Sequence, residues 1–309
     1  MNKSNSQWGF VYKSVEKNYL EYCKNAVLYE DIFINFRKKN KSYSVILEGS
    51  SIYDGYAYIR KFKKLNGFKW LINNINKIKK NDLVGNPNKH FYKDINVNIS
   101  PSTLKYALDA YIFMSEFNLQ NKKKIKILEV GGGYGGLARI LGEFLNIEQY
   151  ALIDQKEPIQ LTKKYLDNQL FKVNKNFKYK FIDSNDISNE DFSNYDFFIG
   201  CSSLAELNLK IQNFYFTQII KYFSGAYIIY NTTHYKENLL YLDNLCLKLK
   251  KSNINYYIFN PWFGDIYLFI DKENNFLNKK SNNLPSTLLK KNLIIKIIKY
   301  ILFKFFKYY

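Results

Sequence analysis

Lys124-Ile-Lys-Ile-Leu-Glu-Val-Gly-Gly-Gly-Tyr-Gly-Gly-Leu-Ala-Arg-Ile-Leu-Gly-Glu-Phe-Leu145 decides the reading of this chain. Ile125, Ile127, Leu128 and Val130 form a short β-rich apolar run, and Leu137, Ile140, Leu141, Phe144 and Leu145 then recur at helical spacing. The hydrophobic period therefore switches from strand to helix across the glycines. Glycines at 131, 133, 135 and 136 let the turn reach positive φ and let a ligand approach bare backbone. The first turn of the following helix offers unpaired N–H groups to a nucleotide-like ligand.

Gly131, Gly133 and Gly136 satisfy the G-x-G-x-x-G of dinucleotide folds, and a tight structural turn without ligand would need the same residues. Glu129, two residues before the first glycine, argues against a pyrophosphate, which a carboxylate repels. It suits the cationic amino-acid end of S-adenosylmethionine (SAM). The spacing Glu129-x-Gly131-x-Gly133-x-Gly135 resembles the first motif of class I SAM-dependent methyltransferases.

The neighbouring segments fit a doubly wound α/β sheet. Gln149–Asp154 reads as the second strand, and Asp154, about twenty residues past the glycines, sits where nucleotide folds place the acid that accepts from ribose hydroxyls. Glu157-Pro158 opens a helix through Leu166, and Phe177–Asp183 alternates as strand three, with Asp183 or Ser184 placed to meet an adenine. Tyr195–Glu206 is strand four running into a loop and helix, with Ser202, Ser203 and Glu206 at the carboxyl edge of the sheet. Gly225–Asn231 is strand five, with Thr232, Thr233 and His234 beyond its tip. A helix spaced by Leu239, Leu242, Cys246 and Leu249 follows, and then two strands joined by Pro261–Gly264. Class I methyltransferases close their sheet with such an antiparallel hairpin and dinucleotide dehydrogenases commonly lack it, so SAM is preferred over NAD.

Upstream, residues 12–38 and 56–80 carry apolar and aromatic residues at mixed helical spacing, which predicts a helical N-terminal lid or substrate subdomain over 1–100. Asp82–His90 reads as a turn-rich loop. Ser100 caps a helix over about 101–118 with Pro101 at its first position, and the SAM-binding domain runs over 101–275.

Composition sets bounds. A chain of 309 residues with 47% hydrophobic content holds a real core. The formal charge of +19 suggests anionic partners, but Arg37, Arg60 and Arg139 are the only arginines. A lysine-, asparagine-, isoleucine- and tyrosine-rich composition is that of a low-GC genome. Nucleic acid is therefore not expected as a partner, since arginine serves base and phosphate forks. Cys23, Cys201 and Cys246 form no C-x-x-C, so neither a disulfide framework nor a zinc site is implied, and no metal is expected. With no apolar run near Met1, a cytoplasmic address is expected.

The C-terminal stretch 284–309 sets Lys296, Lys299, Lys304 and Lys307 within about 140° of a helical wheel opposite Ile, Leu, Phe and Tyr. Too interrupted to span a bilayer, it reads as a basic amphipathic helix that can lie on an anionic membrane surface, the inner face of the cell membrane. A helix packed on the domain or on a second copy is the other reading.

Several pieces together resemble the bacterial sugar O-methyltransferases associated with surface-polysaccharide gene clusters. They are Gly85-Asn-Pro87, Ser100-Pro-Ser-Thr-Leu104, Glu129–Gly136, Ile153-Asp-Gln-Lys-Glu-Pro158, Lys164-Tyr-Leu166 and Ser202–Leu207 with Asn231, spanning about residues 82–265. The chain departs from the pattern at Gln155-Lys156, where that family more often has an apolar residue and proline. The resemblance implies a class I methyltransferase with SAM as cofactor and a sugar, nucleotide-sugar or lipid-linked glycan as acceptor. Tyr134 and Gln155 lie inside the matched pieces and complete a cofactor set of Glu129, Gly131, Gly133, Gly135, Asp154, Asp183, Ser184 and Ser202.

Transfer of a methyl group from a sulfonium to oxygen requires alignment, exclusion of water and deprotonation of a sugar hydroxyl. His234 is the first candidate for that base, Glu206 the second and His90 the third. Two other functions compete. An RNA methyltransferase would need a basic groove with stacking aromatics, and a non-catalytic scaffold in a glycan assembly complex would need SAM not to bind.

Overall fold

The structure is a computed structural model that describes residues 13–38, 48–119, 124–168, 178–231, 236–252, 254–262 and 265–272. It divides into two compact units, Phe10–Asp191 and the part from Phe192 onward.

In the first unit, α1 (Lys13–Leu28), α2 (Glu30–Phe33), α3 (Ile52–Lys64) and α4 (Phe68–Ile78) lead into a 3₁₀ turn, Lys79–Leu83. A short antiparallel hairpin follows, β1 (His90–Tyr92) with β2 (Val97–Ile99). Then come α5 (Pro101–Glu116), β3 (Ile125–Val130), α6 (Gly136–Phe144), β4 (Ile147–Asp154), α7 (Lys156–Leu166) and β5 (Lys178–Asp183). Both pairings, β3 with β4 and β4 with β5, are parallel. In the second unit, β6 (Phe197–Cys201), α8 (Ser203–Glu206), α9 (Leu209–Phe214), a π-helical turn at Tyr215–Ile219, β7 (Gly225–Asn231), α10 (Lys236–Lys251), β8 (Asn255–Trp262) and β9 (Asp265–Asp271) follow in order. Here β6 runs parallel to β7, while β9 is antiparallel to both β7 and β8. The strands are ordered β5-β4-β3 in the first unit and β6-β7-β9-β8 in the second, a mostly parallel Rossmann-like arrangement with β9 reversed, as expected of a class I methyltransferase fold.

The elements form where their sequence dictates. Ser100 accepts from Thr103 N and Pro101 opens α5. Ser51 and Asp54 make a reciprocal capping box at α3. Strands β3 and β6 are buried along almost their whole length, which is why both are mostly apolar, with Lys126 and Glu129 the polar exceptions in β3.

Residues 84–89 form the expected loop, and at its end, His90, begins an antiparallel hairpin whose three-residue strands are anchored by Tyr92, which is fully buried with its ring 4.9 Å from Tyr56. Helices α1–α4 belong to the same compact unit as β3–β5. The reason is a buried ionic joint. Arg37 is wholly enclosed, its Nε 2.7 Å from Glu48 Oε1 and its Nη2 3.2 Å from Asp82 Oδ1. The same guanidinium donates to Ser100 and Ser102 Oγ at 3.1 Å and to the Asn81 carbonyl at 2.5 Å. Asp82 accepts from Ser100 N and Thr103 Oγ1, both at 2.7 Å. Burial works against the Arg37 charge, but Glu48, Tyr134 and Asp82 hold its pKa well above the usual value. Three segments distant in sequence, at 48, 81–82 and 100–102, are thereby fixed to one cation.

Candidate functional site

The site grows from the turn between β3 and α6. Gly131 N donates to Ile153 O at 2.8 Å, and Gly135 N to Gly132 O at 2.9 Å, so the chain leaves the sheet and turns back at once. Gly131, Gly133 and Gly135 all have positive φ. At Gly135 the φ of 89° is joined by Leu166 Cδ1 only 2.9 Å from where a Cβ would stand, so both backbone and space demand glycine. From outside, Thr162 of α7 donates to Gly133 O at 2.6 Å, and Asn81 Nδ2 donates to Gly136 O at 3.0 Å. Asn81 is itself held, since its carbonyl accepts from Tyr165 Oη at 3.1 Å and its Oδ1 from Arg139. The turn is thus braced by α7 and by the N-terminal helices.

Two acids flank it at the carboxyl ends of adjacent parallel strands. Glu129 is 2% exposed, and its Oε2 accepts from Tyr150 Oη at 2.8 Å. Burial pushes its carboxyl up to about 7 despite that hydrogen bond, with Asp109 and Asp154 adding to the rise and Lys105 opposing it. Asp154 is half-buried as a residue but its carboxyl group is enclosed, and burial lifts it to about 7 against the hydrogen bond from Gln155 N at 2.8 Å. Helix α1 comes close to Asp154. The Tyr19 hydroxyl is buried and pushed up by desolvation, then by nearby Cys23 and Asp154, and burial also raises the Cys23 thiol. Lys164 ties α7 to α1 by donating to Val27 O at 3.1 Å.

The predicted residues divide by place. Glu129, Gly131, Gly133, Gly135 and Asp154 come together around the turn. Tyr134 is committed by its ring to a cluster with Tyr165, Tyr106 and Phe36 at 4.9, 5.4 and 5.9 Å, so its main chain is what it offers a ligand. Gln155 is the N-cap of α7 without a side-chain cap bond. Asp183 Oδ1 accepts from Asn185 N and Nδ2 at 3.0 and 2.9 Å, a local turn that engages one carboxylate oxygen, and Ser184 N donates to Asp154 O at 2.8 Å. His90 opens β1 on the same face as Tyr92.

Ser202 and Glu206 belong to the second unit. Ser202 sits between β6 and α8 with φ of 67°, a strained position for a non-glycine residue at a strand's carboxyl end, and Glu206 closes α8. His234 and the stretch 284–309 lie outside the described residues. Among the described residues, no group of three or more His, Cys, Asp or Glu is placed to hold a metal ion, and no helix is long and apolar enough to cross a membrane.

Sequence reasoning missed the bracing shell of Arg37, Asn81, Arg139, Thr162 and Tyr150. One signal was present: of the three arginines among 46 basic residues, Arg37 and Arg139 are both buried in the shell, where a planar fork of donors serves better than a lysine, and only Arg60 is exposed.

No protein-family model and no curated protein matches the sequence. Among solved structures it is similar to TrmK from M. capricolum in complex with S-adenosyl-homocysteine, at 17% identity and TM-score 0.38 over 55% of this chain and 68% of that one. It is also similar to a SAM-dependent methyltransferase from Aquifex aeolicus, at 17% and 0.40 over 52% and 88%. A third is the methyltransferase domain of bacterial CtHen1, at 13% and 0.41 over 54% and 97%.

Proposed function

We propose that the chain is a SAM-dependent methyltransferase that O-methylates a sugar hydroxyl of a surface polysaccharide or its precursor. The observation that carries the reading is the pair Glu129 and Asp154, two enclosed carboxylates at the ends of β3 and β4 on either side of a glycine turn. The donor set fits this cofactor. Glu129 is complementary to an ammonium, Asp154 can accept from both hydroxyls of a ribose, and the two together would repel a pyrophosphate. When bound, SAM supplies an electrophilic methyl group. The chain's own residues orient the two reactants, keep water out and accept the hydroxyl proton. We assign that proton first to His234, next to Glu206 and last to His90.

The sugar acceptor is supported by the sequence pieces shared with the polysaccharide-associated family. The Gly85-Asn-Pro87 piece is a joint, where Gly85 O accepts from Arg37 N at 2.8 Å and a Cβ would stand 2.5 Å from the Phe36 ring. The basic stretch 284–309 would hold the enzyme at an anionic membrane where lipid-linked glycans are built. Equal flotation of the full chain and a 1–283 truncation on anionic liposomes removes that part of the proposal.

The deciding assay is SAM-dependent methylation of the host's purified polysaccharide and of nucleotide-sugars, with mass spectrometry locating the new methyl. A methyl on sugar oxygen is expected. Methylation of RNA with none on glycan would move the acceptor class.

A further inference from the structure

A cavity of about 500 Å³ opens in the second unit between the π-helical turn Tyr215–Ile219 and the last turns of α10. Phe216 and Tyr241, with ring centroids 5.9 Å apart, line it together with Leu245, Leu247 and Leu249. Leu247 is 43% exposed, a large apolar side chain left in water. Packed interiors leave few voids larger than a water molecule, and this volume is that of a ligand-sized pocket. The π turn that forms one wall is a rare element, frequent at functional sites. Lys248 and Lys251 also line the opening and are exposed. Their place in the last turn of a helix, where they offset its dipole, accounts for the lysines but not for the cavity.

The chain itself leads to this opening. Strand β9 ends at Asp271, paired with Gly225 at the start of β7. Lys272 then donates from its main-chain N to Ser224 O at 2.9 Å and from its Nζ to the carbonyls of Ile220 and Lys221, directly after the π turn. From that anchor the eleven residues 273–283 reach up to about 36–40 Å when extended, which brings 284–309 within range of the cavity. The Ile, Leu, Phe and Tyr residues that 284–309 sets opposite its lysines are a large apolar surface in water unless something covers them.

We propose that the cavity receives the apolar face of the chain's own stretch 284–309, which then has two alternative seats, this berth in water and an anionic membrane. Tethering lets a weak berth suffice. A short linker gives an effective concentration of about 1 mM, so a berth with Kd of about 0.1 mM is about nine-tenths occupied. Lysines on both sides repel one another, so salt tightens the berth while it loosens an anionic membrane or any other anionic occupant. The inference needs neither the donor nor the acceptor assigned above.

The test uses the full chain with Leu247 replaced by the photoreactive p-benzoylphenylalanine. Thr217, exposed on the facing wall, is a second position, and Tyr53, 79% exposed in the first unit, is the control. Illumination, digestion and mass spectrometry locate the cross-links. Links from 247 and from 217 into 284–309 of the same chain are expected, about tenfold more frequent than from 53, the ratio set by a berth Kd one-tenth of the effective concentration. Their yield should not change with protein concentration and should hold or rise with added NaCl. Links between two chains that grow with concentration would give the cavity to a second copy. Links to a co-purified amphiphile would give it to a small ligand, and links from 247 and 217 no more frequent than from 53 would leave 284–309 unseated. Each of these three results overturns the proposal.

Discussion

The Arg37 guanidinium stands 4.3 Å from the centroid of the Tyr134 ring, joining the fully buried cation of the turn after α2 to the tyrosine inside the glycine turn. The contact makes the helical segment part of the cofactor turn's support. A change on one side should be felt on the other.

Removing the cation tests this first. Arg37→Met leaves Glu48 and Asp82 buried without their partner, and breaking such a pair costs about 3–5 kcal/mol. Urea denaturation should show a loss of that size. Lys63→Ala removes an exposed pair with Asp94 and should cost less than about 1 kcal/mol. Similar losses for the two would refute a supporting role for Arg37.

The turn's backbone gives a second prediction. Gly135→Ala forces a side chain into φ of 89° and against Leu166, a strain of about 1–3 kcal/mol. A lower melting temperature together with weakened SAM binding is expected. An unchanged melting curve would mean the turn can relax.

The raised carboxyls set a pH dependence. An unfolded glutamate or aspartate binds its proton only below about pH 4, while Glu129 and Asp154 in the folded chain hold theirs to about 7. The folded state therefore binds more protons between these limits. Stability falls as pH rises from about 4 to 7 and is flat for these groups above that. Glu129→Gln should remove part of the slope and be more stable than the wild type at pH 8, on the order of 2–3 kcal/mol, with the advantage gone near pH 4. Unfolding midpoints measured across this range give the answer, and a wild-type curve rising toward pH 7 with no effect of the substitution would refute it. Affinity for SAM should move the other way and increase toward pH 7, because its ammonium favours ionised Glu129.

Asp154→Asn keeps the shape and removes a charged acceptor. A loss of about 10–150-fold in SAM affinity follows, with little change in stability at pH 5, where the wild-type group is protonated. Unaltered affinity would remove Asp154 from the site.

Much of this was legible in the sequence because it is local. The change of period across Gly131–Gly136, the Ser100-Pro101 helix start and the acid closing β4 are each written within a few residues, and each element lies where it was expected. The reversed strand β9 followed from two alternating runs around Pro261–Gly264. What was hidden is long-range. Arg37 finds its partners at positions 48, 81, 82, 100 and 102, a convergence no periodicity announces. The three-residue strands of the β1–β2 hairpin are too short to show alternation. Tyr134 illustrates a subtler limit, because its place in the glycine motif suggests ligand contact while its ring belongs to the core.

The central claim is that Glu129, the glycine turn and Asp154 hold SAM. Titration calorimetry of the full chain with SAM, and separately with NAD, tests it most directly. The account predicts saturable binding of one SAM per chain with Kd of about 1–100 µM, abolished in a Glu129→Gln, Asp154→Asn double variant, and no binding of NAD. Saturable NAD binding, or no binding of SAM by the folded wild type, would contradict it.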